Sequence, residues 1–144
     1  MLVSLVAGAV YAAVQGLSSS AVTENETVLA AVGVFPGSRT LGRTSETFSG
    51  GLPLPKGVVT TEGFQPPSGA DQGHVVSFYL DRLRPHWQPR IERSLAGTAG
   101  TSQQRSYRIT FARAGRCVVL ATAGMVGGVE PPVYTLSTYK SDDC

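Results

Sequence analysis

From Tyr107 to Phe111 the chain alternates apolar and polar residues and then doubles back into Cys117 to Thr122, which commits this stretch to antiparallel β-structure. Tyr107, Ile109 and Phe111 are separated by Arg108 and Thr110, the period-two pattern of a strand with one buried face. Arg113-Ala114-Gly115-Arg116 reads as a tight turn into a second strand, Cys117 to Thr122. A two-residue Ala-Gly loop places Phe111 opposite Val118 and Ile109 opposite Leu120, whereas a bulge at Gly115 shifts the pairing by one residue. After the glycine-rich connection Gly124 to Pro132, residues Val133 to Tyr139 read as a further strand.

A helix is marked upstream by its boundaries. Pro66-Pro67-Ser68-Gly69 precedes it, Asp71 is placed to cap it, and Pro85 stops it. Val75, Val76, Tyr79, Leu80 and Leu83 recur at helical spacing, with His74, Ser77, Asp81 and Arg84 turned away, so one face packs on something flat. Trp87 to Leu95 reads as extended and Ala96 to Gln104 as a polar loop.

Earlier in the chain, Thr23 or Asn25 is placed to cap a short helix ending near Val34, before Pro36-Gly37. Two strands follow, Arg39 to Phe48 and Val58 to Phe64, separated by Gly50-Gly51 and Pro53 to Pro55. Asn25-Glu26-Thr27 formally matches a glycan acceptor, meaningful only in a eukaryotic secretory host. The whole predicts an α+β domain: a mainly antiparallel sheet with one long amphipathic helix on one face, preceded by an N-terminal apolar helix.

That apolar segment runs from Leu2 to Leu17 without a charge. Sixteen helical residues reach roughly 24 Å, short of the roughly 30 Å hydrocarbon core but extendable through Ser18 to Ser20. Residues 1–20 therefore read as a signal peptide or a transmembrane anchor, Ser18 to Thr23 as a tether, and 21–144 as one domain outside the cytoplasm. No Lys or Arg precedes the segment, so the usual basic flank of a signal peptide is reduced to the terminal amine.

Export makes oxidation of the two cysteines, Cys117 and Cys144, favourable. A bridge between them would close a loop contributing about 3 kcal/mol on the chain-entropy estimate. The alternative is a buried Cys117 in a strand and a loose terminal thiol at Cys144.

The chemistry-bearing residues are few. His74 and His86 are the only histidines and fall on polar positions, and no zinc, calcium, phosphate-loop or dinucleotide spacing occurs. No Gly-x-Ser-x-Gly elbow raises one serine above the others. The pattern predicts no cofactor and no metal. Trp87, with Phe78 and Tyr79, is assigned to core packing rather than to a ligand pocket.

The net charge of +2 is unevenly spread. From Asp81 to Arg116 eight arginines face only Asp81 and Glu92, and Arg90, Arg93 and Arg108 are the candidate face for an anionic partner. Placement outside the cytoplasm argues against nucleic acid.

Val34-Phe35-Pro36-Gly37-Ser38-Arg39, followed by Val75-Val76-Ser77-Phe78-Tyr79 and Leu83-Arg84-Pro85-His86-Trp87, resembles a pattern in small exported or membrane-anchored bacterial proteins of unknown function. There a helix with a Phe-Tyr pair and a downstream Trp introduces antiparallel strands. The resemblance implies location and fold and carries no activity. The leading expectation is a non-catalytic domain binding a protein or envelope component. A hydrolase or ligand-binding enzyme with dispersed residues, and a basic adhesion module for anionic surfaces, are the competing readings.

Overall fold

The computed structural model describes residues 19–51, 54–96, 104–123 and 133–144. The apolar segment from Leu2 to Leu17 lies outside the described residues. Helix α1 is described over residues 19–32. It is followed by β1 (Arg39–Gly51), β2 (Leu54–Gln65), α2 (Gln72–Leu83), β3 (Gln88–Ala96), β4 (Gln104–Arg113), β5 (Arg116–Ala123) and β6 (Val133–Lys140). The six strands form one antiparallel sheet in the order β1-β2-β6-β5-β4-β3. The return of β6 to pair with β2 brings the two ends of the strand sequence into one layer.

The β4–β5 hairpin has the two-residue register, with Phe111 opposite Val118 and Ile109 opposite Leu120. Ala114 and Gly115 both take positive φ, 45° and 79°, the backbone that lets a two-residue turn follow the right-handed twist of its strands. No bulge intervenes.

Two helices, rather than one long helix, share a face of the sheet. α1 contributes Leu29 and Val32 to the core, and α2 contributes Val75, Tyr79 and Leu83. They meet Phe64, Ile109, Phe111, Val118, Leu120, Tyr134 and Leu136 from the strands. Burying each such aliphatic or aromatic side chain contributes about 1.5–3 kcal/mol. Phe64 stacks on Tyr134 at 5.6 Å between centroids and tilts against Tyr79 at 6.1 Å. Trp87 packs against the core from its edge, as its assignment to core packing requires.

α1 starts earlier than its Thr and Asn residues predict: residues 19–23 are already helical. The threonine hydroxyls do not cap. Thr23 Oγ1 donates to the Ser19 carbonyl and Thr27 Oγ1 to the Thr23 carbonyl, both at 2.9 Å, so each is satisfied inside the helix. The span expected to be a tether is thus helical from residue 19, continuous across residues 20 and 21.

The C-terminal end of α1 is closed by α2. Gly33, at φ +74°, donates its N–H to the Leu29 carbonyl. Arg82 donates from Nε to the Val32 carbonyl at 2.7 Å and from Nη2 to the Ala31 carbonyl at 3.1 Å, while Tyr79 donates its hydroxyl to the Gly33 carbonyl. A guanidinium and a phenol from one helix thereby satisfy carbonyls that the other helix leaves without internal partners. Their burial also raises the Tyr79 pKa, because ionisation would place a charge away from water.

Candidate functional site

Strand alternation places the core-facing residues toward the helices and their neighbours on the opposite face, which is helix-free among the described residues. One row across that face runs Thr44, Thr61, Ser137, Val119, Thr110 and Arg90. The next runs Gly42, Gly63, Thr135, Ala121, Arg108 and Glu92. Small side chains and hydroxyls dominate, and Thr61 and Ser137 share a hydrogen bond of 2.8 Å between their hydroxyl oxygens. Such a face offers donors and acceptors across its centre, with Arg90 and Arg108 toward its β3–β4 end, where Glu92 stands opposite Arg108.

Of the three arginines singled out by sequence, Arg90 and Arg108 are exposed and occupy this face on adjacent strands. Arg93 stands opposite Tyr107, three residues on from Arg90 and therefore at the alternate register position; its side chain lies outside the described residues. Arg113, also exposed, is held over the Trp87 ring at 5.9 Å.

Cys117 and Cys144 are bridged, with Cα atoms 5.4 Å apart. Cys117 alternates with Val118, so the bridge lies on the helix-free side and pins the last turn of the chain there. This explains why β5 is buried on both faces: Val118 and Leu120 meet the helices, Cys117 meets Cys144, and Val119 sits between Thr110 and Ser137.

Both histidines are exposed. His74 helps start α2: its N–H donates to Asp71 Oδ1 at 2.9 Å, and the Asp71 N–H donates back to His74 Nδ1 at 3.4 Å. No group of three or more His, Cys, Asp or Glu among the described residues could hold a metal ion. No described helix is long and apolar enough to cross a membrane.

A polar cluster that sequence reasoning missed joins α1 to the sheet. Asn25 is 2% exposed and spends its whole amide: Nδ2 donates to the Val58 carbonyl (3.1 Å) and to Thr60 Oγ1 (3.2 Å), and Oδ1 accepts from Arg116 Nη1 (2.6 Å). The amide is therefore not free to carry a glycan in the folded domain. Arg116 Nη2 donates to Glu24, which also pairs with Lys140. The Lys140 ammonium, with Arg116 behind it, holds the Glu24 carboxyl below the usual carboxylate range. The signal was present, since 25, 29 and 32 follow one helical stripe and only the first is polar.

No family model, curated protein or solved structure matches the chain.

Proposed function

We propose that this chain is a non-catalytic domain working outside the cytoplasm, exported or membrane-anchored through residues 1–20, that binds a protein or envelope component on its helix-free sheet face. The observation that carries the reading is the Cys117–Cys144 bridge. It favours an oxidising compartment, since cytosolic thiols are kept reduced. It also consumes both thiols, and His74 is engaged in starting α2, so these three candidates for nucleophile or base chemistry have structural work. The resemblance to small exported bacterial α+β proteins agrees with this location.

Fractionation with intact mass measured without reductant tests the reading. A chain lighter by two hydrogens in the membrane or the extracellular fraction is the expected result. A reduced, full-length chain in the cytosol overturns it.

A second reading, a basic adhesion module, is favoured by the exposed pair Arg90 and Arg108 on one face. Here reversal of Arg90, Arg93 and Arg108 to glutamate abolishes binding to anionic vesicles; unchanged binding sinks it.

A further inference from the structure

Among the described residues β1 is an edge strand of thirteen residues, paired on one side only, by β2. Residues 39–47 are all exposed. An unpaired edge of this length presents a row of free backbone N–H and C=O groups, which proteins ordinarily blunt with proline, lysine or a bulge. The opposite edge follows that practice, with Pro89 inside β3. β1 carries neither proline nor lysine, and its single register shift lies at Leu41, between Thr40 and Gly42. From Gly42 to Ser49 the strand keeps one unbroken register with β2. Its arginine does not guard this stretch, because Arg43 Nη2 is turned back onto Glu62 of β2 at 3.1 Å.

Leu41, the bulged residue, is 46% exposed and leans over Gly63, where a β-carbon would stand 3.5 Å from its own. Phe48 lies on the same helix-free side by alternation from Thr44 and faces Gly57 across the ladder. One strand thus holds an exposed leucine at one end, a phenylalanine beside a glycine at the other, and between them Thr44, Ser45 and Thr47 with the charged Arg43 and Glu46.

We infer that β1 pairs antiparallel with β1 of a second copy of this chain, about a two-fold axis through Ser45 perpendicular to the sheet. Such an axis keeps both helix layers on one side and sets Arg43 against Thr47, Thr44 against Glu46, and Gly42 against Phe48. The phenyl ring of each copy then covers the other copy's Gly42, next to Leu41, so the apolar contact is made twice by symmetry. Axes through Arg43 or Glu46 would set like charges directly opposite each other, which is unfavourable. Apolar residues toward both ends, with each charge set against a hydroxyl across this axis, Arg43 against Thr47 and Glu46 against Thr44, fit a copy of the same strand better than an arbitrary extended peptide.

Cysteine cross-linking in the full-length, membrane-extracted or secreted protein tests this. Ser45→Cys puts two thiols on the axis, where opposing Cα atoms of an antiparallel pair are about 4.5–5.5 Å apart, within disulfide reach. Arg39→Cys is the control, since its copies would lie twelve residues apart, about 40 Å. Mixed Thr44→Cys and Glu46→Cys chains repeat the measurement without altering Ser45. We expect a linked dimer from Ser45→Cys and from the mixed pair, in excess over Arg39→Cys by roughly tenfold or more, and weakening of dimerisation by Leu41→Lys by roughly tenfold. Equal cross-linking at Arg39, no cross-link at either axis position, or insensitivity to Leu41→Lys overturns the inference.

Discussion

Replacing Asn25 by alanine should unfold the domain well below its normal midpoint, and the size of the effect follows from the bonds lost. Three hydrogen bonds disappear, to the Val58 carbonyl, Thr60 Oγ1 and Arg116 Nη1. Thr60 keeps Ser45 as a partner, and Arg116 keeps Glu24, so neither is stranded completely. The guanidinium nonetheless loses its shortest contact while its side chain is only 14% exposed. Leaving buried polar groups underserved costs about 1–3 kcal/mol each, more beside a charge, and two such groups suggest about 3–4 kcal/mol. The better helix propensity of alanine returns roughly 0.5 kcal/mol, leaving a net loss of about 3 kcal/mol. For a domain of this size that lowers the melting temperature by roughly 10–15 °C. Urea denaturation followed through Trp87 fluorescence measures the loss, with Glu26→Ala as the exposed neighbour expected to stay within about 0.5 kcal/mol of the parent. A double-mutant cycle with Arg116→Ala should show coupling of about 1 kcal/mol or more. An Asn25→Ala protein as stable as the Glu26→Ala protein, or strictly additive with Arg116→Ala, would refute the view that this cluster holds α1 to the sheet.

Reduction of the Cys117–Cys144 bridge opens a loop with a sequence separation of 27 and should cost about 3 kcal/mol, read as a shift in urea midpoint with and without reductant. Tyr134→Phe should be neutral or stabilise by up to about 1 kcal/mol, because the Tyr134 hydroxyl is buried without a hydrogen-bond partner among the described residues. Burial, with the Asp71 charge adding to it, pushes the Tyr134 pKa up to about 12, so its contribution to stability is full below pH 10 and lost as pH rises through the folded value. Alkaline unfolding of Tyr134→Phe should lack that loss. Glu24 has the opposite sign. Its lowered pKa gives stability that is present above 4.5 and disappears as the medium becomes more acidic, so Glu24→Gln should flatten the acid limb of stability against pH.

The strongest sequence patterns translated directly. The β4–β5 hairpin was legible because Tyr107 to Phe111 alternate and Ala-Gly accepts the turn backbone, and α2 because prolines bound it and Asp71 caps it. β1 was legible only in part. It extends past Phe48 to Gly51, and its residues through Thr47 are exposed on both sides, so no apolar alternation marks them. The start of α1 is not where the sequence puts it because Thr23 and Asn25 are good caps in isolation, whereas Thr23 bonds back to the Ser19 carbonyl inside the helix and Asn25 bonds to the sheet. The bridge was one of two open alternatives, since two cysteines in a sequence say nothing about distance. That Arg90 and Arg93 take alternate register positions follows from their odd spacing once the segment is known to be a strand.

Glu24 and Asn25 bind the chain at Arg116 and Lys140, which are paired with each other at the matching ends of β5 and β6. A mechanical pull on the chain ahead of residue 19 would therefore load these two central strands before it reached the hydrophobic core. The covalent link from Cys117 to Cys144 fastens the same corner, so the end of the chain cannot peel away before a sulfur bond breaks. A domain towed by its N-terminus is in this way reinforced at the point where the tension enters.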